Sequence, residues 1–596
     1  RDAVGLQAKE NITFNNSIEH LTNQDVLHKT AGIAISGDTG VMIVSAGNDV
    51  NLGGATIEAL GKEGAITITA GHDINSTTDI LTAKKDMTQD GDNYLRTYRQ
   101  TELGTTIEAG GNVSIGAKND IKARNLTVSS DSGAVKVIGE NDVSIENGYS
   151  ESKDAFALKY KEKGLLNKKE TKIKTNDEST NALMSTVSGH TVVVGANNAV
   201  TLTSSNIVST AGTSVLAGHD VITDAAAKHT LSTASKDVKK SGIMGAGMGI
   251  MIGKKQSKDN YYIDETTHKA TTLGSTNGEV TVQAGGTVHL TTTNAVGKNG
   301  VVILGQDIIL DGKDDLYKQE ERHERKSSGL TVSLGGSVVE KIDSAVKKQH
   351  SASDRRNSRF KSLEGKQSMD RLLSAIGEAK QIVDRSYNGQ MRAINSQLER
   401  VNADIVNTPE TDATKLAELK AKQEFLLKRR STLEENKSVV DKATDKAIDR
   451  AINVQIGIGS SKSVAESKLE RHTYSSGTID SDGTVLIHAN SADSIKGNIT
   501  AIGEQIKGKN VQLAASNTIN LEAGSNTQRV ETNSKSSGWN VSANIGMRTG
   551  GLVGWSASAY KGTENGIEDT TTHTGTHVVG TNNVSIESGS NTNLIG

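Results

Sequence analysis

The chain has 596 residues, of which 61 are Gly, 1 is Pro, none is Cys and 3% are aromatic. Aromatic side chains are too scarce to fill several compact globular cores, whereas narrow stacked-strand interiors take Val, Ile, Leu and Ala readily. A formal net charge of −3 supplies no whole-chain field for nucleic acid or acidic membranes, and no run of 18 or more apolar residues marks a spanning helix. Arg1 follows no signal-peptide pattern, so the chain is expected to be internal to something larger.

In chain order, one short pattern recurs: AGNDVNL from Ala46, AGHDINS from Ala70, AGGNVSI from Ala109, AKNDIKA from Ala117, GENDVSI from Gly139 and ANNAVTL from Ala196. It continues in AGHDVIT from Ala217, AGGTVHL from Ala284, LGQDIIL from Leu304, GKNVQL from Gly508, SNTINL from Ser516 and TNNVSI from Thr581. A companion strand precedes many copies, as in GVMIVSAG from Gly40 and GEVTVQAG from Gly278. The unit is strand, polar corner, strand: Gly with Asn or Asp makes the turn, and alternating Val and Ile point into a layer. Val50 to Ile74, Ile121 to Val143, Val200 to Val221 and Val288 to Ile308 advance by 24, 22, 21 and 20 residues, which sets the length of one turn. The fold class predicted is mainly β, a right-handed parallel β-helix with extruded β-hairpins and an inserted antiparallel helical hairpin.

The interruptions set the expected boundaries. β-helix repeats fill 1–148, 191–224 and 279–314; an extruded insertion lies at 149–190, a Gly-rich hairpin at 225–278, a hairpin strand at 315–338, a helical hairpin at 339–451, and hairpins with further repeats at 452–596. Hairpin signals are the alternating, Gly-punctuated runs from Gly329, Ile452 and Gly538, with Ser/Lys-rich lead-ins ending at Gly242, Gly329 and Gly538. Gly245, Gly249 and Gly253, at four-residue spacing, resemble a membrane helix-packing face, but twelve residues from Gly242 to Gly253 cannot span a bilayer as a helix, and a Gly-rich hairpin is the reading preferred. Within 339–451, Leu373, Ile376, Val383, Tyr387, Met391, Ile394, Leu398, Val401 and Ile405 trace one helical stripe. Pro409 at a first helical position starts a second, with Leu419, Leu426, Leu433, Val440 and Ala447 at seven-residue steps.

Candidate chemistry is sparse. Asp49, Asp73, Asp120, Asp142, Asp220 and Asp307 share one corner position and could align as a carboxylate ladder, yet the calcium nonapeptide is absent and turn chemistry accounts for Asp or Asn there. His72 and His219 share a neighbouring slot that carries Asn, Lys or Gln in other copies. Zinc, nucleophile and phosphate-loop signatures are missing. No catalytic, cofactor-binding or metal-binding residue is assigned, and no cofactor is expected.

The AG.DV.I corners, the GWNVSANIG hairpin from Gly538 and the terminal VVGTNNVSIESGSNTNLIG resemble the haemagglutinin-repeat region of two-partner-secretion exoproteins, which include filamentous haemagglutinins and contact-dependent growth-inhibition proteins. The resemblance covers nearly the whole chain. It implies a non-enzymatic filament segment, secreted to the surface of a Gram-negative-type bacterium, that serves adhesion or delivers a C-terminal toxin to neighbouring bacteria. Implied partners are the outer-membrane secretion pore of the two-partner system, a target-cell or host surface, and an outer membrane touched through the Gly-rich hairpins; nucleic acid is not among them. A plain host-cell adhesin and a carbohydrate-active β-helix enzyme remain the alternatives.

Overall fold

A computed structural model describes residues 3–246, 249–334, 454–493, 495–545 and 552–596, together with helical residues scattered between 395 and 431. The repeats wind into three parallel ladders. One is the 12-stranded sheet that runs from Ile12–Asn15 to Thr592–Ile595. The other two are fused into a 19-stranded sheet, because strands such as Ser185–Ala196 and Ser205–Ala217 bend at a corner and feed both.

The sequence period is the stacking period. Val50, Ile74, Ile121, Val143, Val200, Val221, Val288 and Ile308 stand beside one another in consecutive strands of the 12-stranded sheet. All are buried, so each column is a continuous β-branched stack. Adjacent rungs hydrogen-bond at ~4.8 Å, and each fully buried Val or Ile contributes about 1.5–3 kcal/mol. Each turn holds three strands where the sequence shows two. The third is short, as in TIEA at Thr56–Ala59 and at Thr106–Ala109, and buries only two side chains per strand.

Turns that close the rung follow an alternation. On every second rung the chain passes from the 12-stranded sheet to the next rung through one left-handed residue: Gly54, Asn125, Ser204, Thr292 and Gly503. On each intervening rung the same corner opens into a hairpin. Six leave there: Ser17–His20 with Asp25–Lys29, Asp79–Asp90 with Asn93–Leu103, Gly148–Lys163 with Asn167–Leu183, Ala226–Ala246 with Gly249–Lys269, Lys313–Leu334 with Val454–Ser475, and Gly524–Ile545 with Leu552–Thr574. A hairpin is two strands wide, about 9.6 Å, and two rungs rise by the same distance. The two lattices are therefore commensurate, and the last five hairpins join edge to edge into one antiparallel 10-stranded sheet.

The hairpin roots are pinned by hydroxyls. Thr105, Ser185, Thr271 and Thr576 Oγ accept the backbone N–H of Ala55, Leu126, Ser205 and Glu504 at 2.9–3.3 Å. At the fifth such return the residue is Gly477, whose N–H instead donates to buried Glu504 Oε1 at 3.1 Å.

Gly242 to Gly253, where the Gly spacing resembled a helix-packing face, lies in the paired strands Ala226–Ala246 and Gly249–Lys269. The helical hairpin expected at 339–451 falls mostly outside the described residues. Those described there are helical, and Leu398, Val401 and Leu426 are buried together with Ile405 packed against them.

Candidate interaction surface

The corner carboxylates form a ladder of backbone bonds. Asp49 Oδ1 accepts the Asp73 N–H at 3.0 Å, Asp73 Oδ1 that of Asp120 at 3.0 Å, Asp120 Oδ1 that of Asp142 at 3.3 Å, and Asp142 Oδ1 that of Ala199 at 3.0 Å. Asp220 and Asp307 do the same for Thr287 and Asn498, at 2.7 and 2.9 Å. Each acceptor thus satisfies a donor of the next rung rather than of its own turn. His72 Nδ1 lies 3.1 Å from Asp49 and 3.3 Å from Asp73, which brings exposed His72 into one group with half-buried Asp49 and Asp73. Since Asp49 Oδ1 is already spent on the Asp73 backbone, the group reads as corner bonding. His219 lies 2.7 Å from its own neighbour Asp220.

A stronger feature lies on the 10-stranded sheet. The Ser/Lys lead-ins, scattered in sequence, align across it. Lys169, Lys240 and Lys255 are direct cross-strand neighbours, and so are Lys326 and Lys462. Like charges directly opposite one another destabilise a sheet, so this alignment is a cost that packing does not require. Around them a depression of about 710 Å³ is lined by nine lysines and one carboxylate, Glu170. Several of these lysines reach carboxylates: Lys326 Nζ to Glu324 at 2.5 Å, Lys169 to Glu162 at 2.9 Å, Lys161 to Glu170 at 3.6 Å and Lys239 to Asp237 at 3.8 Å. The Lys326 ammonium holds the Glu324 carboxyl below its ordinary pKa. Exposed Lys254 and Lys462 make no ion pair among the described residues.

Because side chains alternate between faces, the register sorts one face into transverse rows. Lys239, Gln256, Lys326, Lys462, Ser537 and Lys561 form one row, and Lys168, Ser241, Lys254, Ser328, Ser460 and Trp539 the next toward the tips. Beyond them on the same face come Ile243, Ile252, Leu330, Ile458, Val541 and Ala557, then Ile250, Val332, Ile456, Ala543 and Trp555. Ile252, Ile458, Val541, Ile250 and Trp555 are all exposed. On the opposite face Gly242, Gly253, Gly329 and Gly459 stand side by side, followed by a mixed row of Met244, Met251, Thr331, Gly457 and Ser542. A Cβ on Gly253 would lie 2.2 Å from Ser328 O and 2.7 Å from the Gly329 Cα, so the strands can run past one another there only as glycine.

Among the described residues no helix is long and apolar enough to cross a membrane. A family model described as hemagglutinin repeat matches residues 166–355 and 458–596, more than half of the chain. Over 448 residues the chain is 28% identical to a protein of Escherichia coli (strain NC101) named tRNA nuclease CdiA, covering 74% of this chain and 12% of that protein. It is 28% identical over 442 residues to the 16S rRNA endonuclease CdiA of Enterobacter cloacae, covering 73% and 11%. It is 24% identical over 507 residues to the deoxyribonuclease CdiA of Dickeya dadantii, covering 83% and 13%. The chain therefore spans about an eighth of the length of these relatives. No solved structure matches it. On the extent of the match and the rungs that carry it, the chain belongs to the hemagglutinin-repeat family.

Proposed function

We propose that the chain is a non-catalytic length of filament in a large secreted exoprotein of a Gram-negative-type bacterium, exported through an outer-membrane pore, which carries a C-terminal toxin to neighbouring cells. In this reading the rungs wind right-handed, the common hand for crossovers between parallel strands, and act as spacer. The hairpin sheet acts as the part that meets the target outer membrane. The single observation that carries the contact role is the sheet's face: exposed apolar rows beyond the lysine rows, which a purely structural spacer does not need. The relatives support the delivery role, since three proteins named for different nuclease targets share this same stretch, as a common carrier would be shared.

The test uses the full-length parent with Ile252, Ile458 and Val541 replaced together by Ser. Display on the producing cell, adherence to target cells and growth inhibition of the target are read separately. The expected result is normal display with inhibition lost. Loss of adherence to host cells with no effect on bacterial targets would favour the adhesin alternative, and glycan turnover by the purified chain would favour the enzyme.

A further inference from the structure

We propose that the two cationic rows bind the phosphate-bearing headgroup layer of an anionic lipid bilayer, and that the apolar rows beyond them on the same face enter its acyl region. This rests on the reading of the hairpin sheet as a membrane-contacting part, and it adds the chemistry recognised.

Two observations carry it. First, the order of rows on one face is fixed by hydrogen-bonded register: cationic, cationic, apolar, apolar. That is the order met on passing from water through headgroups into acyl chains, where Lys keeps its ammonium at the phosphates while its stem lies along apolar surface. Second, the charge is local. The chain as a whole carries −3, yet six of the nine lysines around the depression, Lys161, Lys168, Lys239, Lys254, Lys326 and Lys462, share this one face with Glu170, so the rows complement a polyanionic plane rather than a single acidic group. Neighbouring rows of lysines are also spaced by the strand repeat, so several phosphates of a flat surface can be met at once. Trp539 lies in the outer cationic row, beside the first apolar row. An aromatic side chain at the polar boundary is what an interfacial strand presents.

Vesicle flotation of the 596-residue chain decides the matter, with vesicles of phosphatidylcholine alone, of phosphatidylcholine with phosphatidylglycerol, and of phosphatidylcholine with lipid A. The chain is expected to float with both anionic preparations and to bind neutral vesicles far more weakly. K254Q/K326Q/K462Q is expected to weaken anionic binding on the order of 100-fold, at about fivefold per Lys near an anionic surface, and K254R/K326R/K462R to retain it, which separates charge from folding. Lipids brominated in the acyl chain should quench Trp555 in a W539F background.

Equal flotation with neutral and anionic vesicles, unmoved by the Gln variant, overturns the headgroup proposal and leaves the membrane reading standing. No flotation with any vesicle overturns both. Displacement by millimolar inorganic phosphate, or equal affinity for soluble polyphosphate, overturns the commitment to a lipid surface. Absence of Trp555 quenching by acyl-chain bromine overturns the entry of the apolar rows.

Discussion

Glu504 offers a prediction whose sign and size both come from its place in the fold. It is 1% exposed, at the interior position that Ala55, Leu126, Ser205 and Thr293 occupy on the other rungs that turn through a single left-handed residue. Gly477 donates to one carboxylate oxygen, while the other is buried without a partner. Burial above all, with repulsion from Asp311 added, outweighs the Gly477 bond and pushes the Glu504 pKa up to about 8 from an ordinary value of 4.5. Between those two values the folded chain keeps a proton that the unfolded chain has released, so stability falls as pH rises through the window and levels off above it. At about 1.4 kcal/mol per pH unit the full loss is on the order of 4–5 kcal/mol. Glu504→Gln removes the ionisation and keeps the acceptor for Gly477, at a pH-independent cost of about 1–2 kcal/mol for the new unpaired amide N–H. Denaturant unfolding of the wild type and the variant, followed by circular dichroism at pH 4 to 9, should give curves that cross. The variant is weaker near pH 4 and stronger by about 2–4 kcal/mol at pH 8. A difference between the two that stays constant from pH 5 to pH 8 would refute the assignment of a buried, neutral carboxyl.

Ser204 holds a left-handed φ of 44° and its buried hydroxyl has no hydrogen-bond partner, so Ser204→Gly should raise the unfolding free energy from denaturant titration by about 1 kcal/mol. Thr292→Gly, at a φ of 47°, should not, because Thr292 Oγ1 donates to Ser475 O at 2.9 Å and accepts from Lys313 N at 3.1 Å. Val221→Asp places a charge in the column between Val200 and Val288, where all three are fully buried, and should cost several kcal/mol by thermal melting; an unchanged melting temperature would contradict that stacking. Deleting residues 271–292 removes one rung and puts two hairpin exits on adjacent rungs, about 4.8 Å apart where about 9.6 Å is needed. Limited proteolysis should then cut within Gly249–Lys269 or Lys313–Leu334, whereas deleting 185–270, two rungs with one hairpin, should leave the sheet resistant.

The rungs were legible because their information is local. Alternating Val and Ile, closed by Asn or Asp at a corner, recur every 20 to 24 residues, and the stack from Val50 to Ile308 is that recurrence folded. The third strand of each turn was not legible, because four residues such as TIEA carry too short an alternation to stand out. The hairpin at Asp79–Asp90 and Asn93–Leu103 also escaped notice, since its strands are polar and lack the Gly punctuation of the later ones. The corner Asp residues were expected to bond the backbone of their own turn, but their acceptors serve the next rung, a partner 22 to 191 residues away that no local motif reveals. The candidate surface belongs to the same class. Each Ser/Lys lead-in is visible by itself and looks like an ordinary solvated stretch. That Lys326 faces Lys462 across 136 residues, and that the apolar rows continue on the same side, follows only once every hairpin leaves the same corner on alternate rungs. Local pattern sets which residues point inward. The match between two rungs and two strands sets which distant residues stand side by side, because strand spacing is fixed by the backbone hydrogen bond and is the same in both sheets.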